Sequence, residues 1–158
     1  MKVFLSHQKK DRDEAAKVAS YLKACGIDVY FDEFDRELRE ALDSDNPKGV
    51  VAAIKKGVQQ STHMFCIISP NTLTSKWVPF EVGYGYDLTE VMALTLKGIK
   101  KDDLPDYIRA VPIIRDIWDL DRYVKKHGNE KLMESRGMIK AAFSSSHSLS
   151  GVMDAIIT

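Results

Sequence analysis

Short apolar segments alternate along the chain with segments whose apolar residues recur at helical spacing. The predicted strands are 2–6, 27–32, 63–69 and 91–96. The third of these, HMFCIIS, is the most apolar run in the sequence and predicts a central strand covered on both faces. Helices are predicted between the strands at 11–26 and 50–60. This alternation is typical of a parallel sheet with helices on both faces.

The remaining segments fit the same single domain. The charged connection at 33–49 is predicted to carry a short helix before its Asn-Pro-Lys-Gly end, and 104–116 predicts a helical turn followed by a further strand. Helical candidates in the C-terminal part are 119–128, 129–143 and 149–158. The serine-rich stretch at 144–148 is interpreted as a connector. With 158 residues and no repeat or long linker, the chain is predicted to form one domain over 1–158.

Charge and cysteine usage exclude several classes of protein. Lys+Arg and Asp+Glu both number 23, so the net charge is zero, which argues against a general nucleic-acid binder. No apolar run approaches the roughly 18 residues that span a bilayer, and the N-terminus is unlike a secretory signal. Cys25 and Cys66 lie in apolar segments, and neither the cysteines nor the histidines show metal-ligand spacing, so no metal is expected. Buried free thiols predict a cytoplasmic location.

The crossover rule gathers three polar segments at one edge of the predicted sheet. Right-handed connections place the carboxyl ends of the first three strands together, where such sheets bind ligands. The segments are SHQ at 6–8, FDEFD at 31–35 and SPN at 69–71. Neither a G-x-G-x-x-G nor a G-x-x-x-x-G-K-[ST] motif occurs, and the acids that a receiver domain needs after its first and third strands are missing.

The segment SKWVPFEVGYG at 75–85 places a tryptophan and a carboxylate around a proline. Pro79 disfavours helical geometry at Val78, so a helix is predicted from Pro79 with Glu81 in its first turn. The positive end of the helix dipole there favours the charged carboxylate. An acid is also common in a first turn for stability alone, and Trp77 is equally compatible with the core or with a flat ligand. The GYG glycines predict close packing of this helix on the sheet.

Three segments in register, VFLSHQKKD, GIDVYFDEFD and IKKGVQQSTHMFCIISPNTLTSKWVPFEVGYG, resemble a TIR (Toll/interleukin-1 receptor) domain, especially the bacterial kind. The similarity covers about 1–96, and its most specific element is S-x-W-x-x-x-E, here Ser75, Trp77 and Glu81. The resemblance implies an α/β fold, a flavodoxin-like doubly wound parallel sheet of about five strands flanked by helices. Residues 97–158 would form a helical C-terminal part of the same domain.

Many members of that family consume NAD, so the resemblance implies a catalytic role for Glu81. The positions it implies for NAD binding are Ser6, His7, Gln8, Asp32, Phe34, Ser75 and Trp77. NAD would be the substrate, with no separate cofactor. Similar bacterial proteins of Thoeris-type antiphage defence make an ADP-ribose-type signal, cyclic or conjugated, for a separate effector. Self-association through TIR–TIR contacts is also implied.

Two other functions remain open on the sequence alone. The first is a non-catalytic TIR interaction module, in which the acidic segment 33–46 docks on basic patches such as Lys9-Lys10 or Lys55-Lys56. The second is an enzyme similar to nucleoside deoxyribosyltransferases, which also use a glutamate on an N-glycosidic bond. A requirement for Glu81 distinguishes the two enzymes from the interaction module. Competition between nucleosides and NAD as substrates distinguishes the two enzymes from each other.

Overall fold

The computed structural model describes residues 1–137 and 147–155, and these form a five-stranded parallel sheet with helices packed on it. The strands are β1 (Lys2–Ser6), β2 (Asp28–Tyr30), β3 (His63–Ile68), β4 (Glu90–Thr95) and β5 (Ile113–Ile114). Their order is β2-β1-β3-β4-β5, and every neighbouring pair is parallel. This order is that of flavodoxin-like sheets, so the predicted fold class is confirmed.

Both faces of the sheet are covered, which explains the continuous apolar run of β3. Phe65 and Ile67 belong to one buried cluster, whereas Met64, Cys66 and Ile68 belong to another on the opposite face. Alternate side chains of a strand point to opposite faces. In a strand that is covered on both faces, nearly all of the side chains are therefore apolar. Cys25 and Cys66 are buried free thiols, as predicted.

The helices follow the predicted order with two differences near the second strand. They are α1 (Arg12–Ala24), α2 (Asp32–Asp43), α3 (Pro47–Gln59), α4 (Val78–Gly85), α5 (Asp106–Arg109), α6 (Ile117–His127) and α7 (Glu130–Ser135). The short helix expected within 33–49 is a full helix of 12 residues that follows β2 without a loop. The helix predicted at 50–60 begins earlier, because Pro47 starts it and the Asn46 side chain accepts a hydrogen bond from Gly49 N at 3.0 Å.

The C-terminal part agrees with the prediction only in places. The helical turn and strand expected in 104–116 are α5 and β5. The range of α6 overlaps the first helical candidate, 119–128. The second candidate is observed as the short helix α7, with 138–143 outside the described residues. The described part of the third candidate, 149–155, consists of turns and bends, so the prediction of a helix there is wrong. The connector predicted at 144–148 is described only at 147 and 148.

Gly85 confirms the close packing expected of α4, since a Cβ atom there would lie 2.6 Å from Met64 Sδ on β3. Gly83 faces open space, so the prediction does not hold for it. Within 1–137 and 147–155, none of the helices combines the length and the apolar character that a membrane crossing would need.

Candidate active site

A cleft of about 350 Å³ opens at the carboxyl edge of the sheet, where the sequence predicted a ligand site. Its walls come from the segments that follow β1 and β3, from α2 and from the start of α4. Lining residues that the sequence had predicted are His7, Gln8, Ser75, Trp77 and Glu81. Asn71 belongs to the SPN segment that was expected at this edge, whereas Lys9, Lys10, Leu38, Leu42 and Thr74 were not predicted to line a ligand site.

Glu81 lies in the first turn of α4, as predicted, but the helix begins at Val78 and not at Pro79. The Ser75 hydroxyl accepts hydrogen bonds from Trp77 N at 3.0 Å and Val78 N at 3.3 Å, which satisfies amides at the start of the helix. Glu81 N donates to Trp77 O at 2.9 Å, so the first helical bond is already formed across Pro79. These bonds fix Glu81 relative to Trp77.

The Glu81 carboxyl is buried, with 3% of the residue exposed, and accepts a hydrogen bond from the Ser6 hydroxyl. Burial raises the pKa of Glu81 to about 7, and the Ser6 hydrogen bond opposes that rise only in part. The helix dipole, which favours the charged form, therefore does not hold the pKa of this carboxyl at its usual value. The dipole contributes at most about 2 kcal/mol, whereas burying a carboxylate without a cation beside it costs more.

Cys66, on β3, lies beneath the Glu81 carboxyl and is paired in register with Ser6 on β1. Burial raises the pKa of the Cys66 thiol well above its usual value, and the negative charge of Glu81 raises it further. The thiol therefore stays protonated at neutral pH. Of these two neighbouring groups, Glu81 is thus the one whose pKa lies near neutrality.

Trp77 combines the two roles that the sequence left open. Its side chain is partly exposed and lines the cleft, while it also packs against the buried cluster that contains Val78 and Val82. Its ring meets the Phe80 ring edge-on, with centroids 6.2 Å apart. One part of the indole is therefore anchored in the core and another part is available to a flat ligand.

His7 is buried at the wall of the cleft and is held by an ion-pair cluster. Its Nε2 lies 3.0 Å from Asp35 Oδ1, and Asp35 Oδ2 accepts from Arg12 Nε at 2.9 Å. Arg39 approaches the same oxygen at 3.2 Å. Burial alone would raise the pKa of Asp35, but the hydrogen bonds from His7 and Arg12 outweigh it and hold that pKa below its usual value.

Ser6, Asp32 and Phe34, three of the positions expected to bind NAD, are not among the residues that line this cleft. Ser6 is fully buried and contacts Glu81 instead. Asp32 is exposed and pairs with Lys23 at 2.9 Å, and Phe34 packs in the core with its ring 4.7 Å from that of Phe4.

Asp32 and Phe34 lie away from the cleft because β2 passes directly into α2, so no loop follows the strand. The helix instead brings Leu38 and Leu42 to the cleft, one and two turns beyond the buried Phe34. The spacing of Phe34, Leu38 and Leu42 is the signal that could have predicted this helical wall.

The sequence model of the TIR domain matches residues 3–127 of the chain. A protein of Bacillus cereus (strain MSX-D12) named "Probable 3' cyclic ADP-D-ribose synthase ThsB'" is 28% identical over 93 residues, which is 58% of this chain and 47% of that protein. A Cytobacillus dafuensis protein named "Putative cyclic ADP-D-ribose synthase TIR2" is 32% identical over 92 residues, 57% of this chain and 24% of that protein. The similarity thus spans less than half the length of these curated relatives.

Proposed function

The chain belongs to the TIR domain family, and on that premise we propose that it cleaves the N-glycosidic bond between nicotinamide and ribose in NAD. The observation that carries the proposal is Glu81, a buried carboxyl that faces the cleft and is held by Ser6. The two curated relatives, both named as synthases of cyclic ADP-D-ribose, support the same class of reaction.

The chemistry of NAD requires little more than one well-placed negative charge. Nicotinamide is bound to the ribose as a cationic pyridinium, so it leaves as a neutral molecule without being protonated. As the carbon–nitrogen bond breaks, its electron pair goes to the nicotinamide nitrogen and positive charge develops on the ribose. An ionised Glu81 beside that carbon stabilises the charge. Glycosidases that release an oxygen leaving group need a second carboxyl to protonate it.

The second half of the reaction uses the same carboxyl. A hydroxyl oxygen attacks the ribose carbon, and its proton passes to Glu81 as the new bond forms. A pKa near neutrality suits both steps, because the ionised and the protonated forms of the carboxyl are both accessible at pH 7. The hydroxyl comes from the ADP-ribosyl group itself in a cyclisation, from water in a hydrolysis, or from another acceptor in a conjugation.

NAD would bind with its reacting end at Glu81 and with Trp77 beside a flat ring. Gln8 and Ser75 line the same cleft and are the proposed polar contacts, whereas both ring nitrogens of His7 are engaged, by Asp35 and by Leu5 O. The side chains of Leu38 and Leu42 supply an apolar wall for the rest of the dinucleotide. Asp32 and Phe34 take no part in this binding, because neither side chain lines the cleft.

The product would be an ADP-ribose-type signal, cyclic or conjugated, that a separate effector reads in bacterial antiphage immunity. We place the reaction in the cytoplasm, where the reduced thiols of Cys25 and Cys66 are maintained. TIR–TIR self-association would assemble the active form. The activity assay must therefore include high protein concentrations, at which copies of the chain associate.

The test is incubation of the purified protein with NAD over a wide range of protein concentrations. Nicotinamide is followed by chromatography and the second product is identified by its mass. Release of nicotinamide supports the proposal. Absence of release at every concentration contradicts it and leaves the non-catalytic interaction module. Release of free base from nucleosides in preference to NAD would instead support a deoxyribosyltransferase-like enzyme.

The pH dependence of the reaction follows from the pKa of Glu81. Only the ionised carboxyl stabilises positive charge on the ribose, so kcat/KM for NAD is expected to rise between pH 6 and pH 8 with a midpoint near 7. The measurement is the initial rate of nicotinamide release at NAD concentrations below KM. A profile that is already level at pH 6 would contradict the assignment of Glu81 as the group that titrates.

Removing the Ser6 hydroxyl provides an internal check on that profile. The Ser6 hydrogen bond lowers the pKa of Glu81, so Ser6→Ala is expected to move the midpoint to higher pH. The matched control is Ser20→Ala, a change at an exposed serine of α1, which leaves the midpoint in place. A midpoint that stays at the same pH in Ser6→Ala would mean that another group controls the profile.

A further inference from the structure

Asp11 is a buried carboxylate beside the cleft that the catalytic chemistry does not use. It precedes the first residue of α1, where an aspartate ordinarily accepts a hydrogen bond from an amide of its own helix. Its side chain makes no such bond here, and the residue is only 3% exposed. Helix capping therefore does not account for this side chain.

Both carboxylate oxygens are instead used by a segment that lies far away in the sequence. Asp11 Oδ2 accepts from the Ser69 hydroxyl at 2.6 Å, and Asp11 Oδ1 accepts from Asn71 Nδ2 at 2.8 Å. The Ser69 hydroxyl in turn accepts from Asn71 N at 3.0 Å. The three residues form a closed network in which each of the three donor groups has one acceptor. Hydrogen bonds to an ionised acceptor are stronger than those between neutral groups.

This network joins the two walls of the cleft. Gln8, on the side of Asp11, lines the cleft after β1, and Asn71 lines it after β3. The segment from Ser69 continues to Ser75, whose hydroxyl fixes the start of the helix that carries Glu81. A shift of this segment would therefore change both the width of the cleft and the position of the catalytic carboxyl.

We propose that Asp11 is a positioning residue of the NAD-cleaving site, which holds the segment 69–75 against the segment after β1. The proposal rests on the proposed function for its enzymatic consequence. Asp11 itself does not touch the reacting atoms, and its effect is exerted through Ser69 and Asn71. Displacement of binding groups by about 1 Å is enough to cost as much as a hundredfold in rate.

The principal variant is Asp11→Ala, which removes both acceptors. We expect KM for NAD to rise about tenfold, with a smaller change in kcat, because the segment that binds the dinucleotide loses its anchor. Asp11→Asn is expected to stay closer to the wild type, since the Asn71 amide can turn over and accept a bond from the new NH₂ group. Asp13→Ala is the matched control, because Asp13 is an exposed aspartate two residues away.

Two further measurements separate positioning from a merely structural role. Ser69→Ala is combined with Asp11→Ala, and the double variant is expected to show a KM no higher than that of the more impaired single variant. Amide hydrogen exchange over 69–75 is expected to accelerate in Asp11→Ala and to stay at the wild-type rate in Asp13→Ala. If Asp11→Ala does not fold, Ser69→Ala replaces it in the KM and exchange measurements, because it removes one of the two hydrogen bonds to Asp11.

An unchanged KM in folded Asp11→Ala, or in Ser69→Ala where it replaces that variant, would overturn the inference. Fold-changes that multiply in the double variant, or unchanged exchange over 69–75, would overturn it too. A wild-type protein that releases no nicotinamide overturns the proposed function instead. The exchange experiment still reports in that case whether Asp11 anchors the segment, so the two failures are distinguishable.

Discussion

Glu81→Gln is expected to slow nicotinamide release from NAD by about a thousandfold. The substitution keeps the shape of the side chain and an oxygen that can accept from Ser6, but removes the negative charge. A charge pair about 4 Å apart at an effective dielectric of about 20 is worth roughly 4 kcal/mol, and that energy corresponds to about a thousandfold in rate. The measurement is kcat/KM at pH 8, where the wild-type carboxyl is mostly ionised.

Glu134→Gln serves as the matched control, because Glu134 is an exposed glutamate on α7. Its activity is expected to equal that of the wild type. Thermal unfolding of Glu81→Gln establishes that the variant is folded before its rate is interpreted. Full activity in folded Glu81→Gln would contradict the catalytic role of Glu81 and mean that another group carries the reaction.

The sheet could be predicted from the sequence because its pattern is local. The β3 run HMFCIIS is apolar at almost every position, and only a strand covered on both faces buries all of them. The start of α3 was less predictable. Three residues that precede its apolar pattern, Pro47 to Gly49, belong to the helix because of the cap that Asn46 provides.

The second side of the cleft was mispredicted because an assumed loop is a helix. Charged residues surround Phe34 and Leu38, so their amphipathic spacing was interpreted as a connection with only a short helix. In the structure that spacing buries Phe34 against Phe4 and turns Leu42 toward the cleft. An apolar wall thus stands where the sequence predicted Asp32 as a polar contact.

The position of Glu81 could be predicted, whereas its environment could not. The proline and the spacing from Trp77 are local and place the carboxyl in the first turn of a helix. Its burial depends on Ser6 and Cys66, which lie on neighbouring strands. The contacts of Asp11 with Ser69 and Asn71 are equally distant in sequence, so the sequence assigned this residue only to the helix predicted at 11–26.

The burial that tunes Glu81 for catalysis also has an energetic cost to the fold. The pKa of this carboxyl rises from about 4.5 in the unfolded chain to about 7 in the folded one. The folded state therefore holds the proton more tightly, and stability is lost as pH rises from the unfolded value through the folded one. This sign is opposite to that of a carboxylate whose pKa is lowered by an ion pair, such as Asp35.

Glu81→Gln is accordingly expected to be more stable than the wild type at alkaline pH. The free energy of unfolding should exceed that of the wild type by about 3 kcal/mol at pH 8, and by less than about 1 kcal/mol at pH 5. Urea denaturation at the two pH values measures the difference, with Glu134→Gln as the exposed control that gains nothing.

The dependence on pH is the decisive part of that comparison. A gain in stability that is the same at both pH values would reflect improved packing of the amide. No gain at pH 8 would mean that neighbouring groups already offset the cost of burying the charged carboxylate. A gain that appears between pH 5 and pH 8, together with loss of nicotinamide release, would identify one ionised group as the source of both effects. The fold would then hold, at position 81, a charge that weakens it and that the reaction requires.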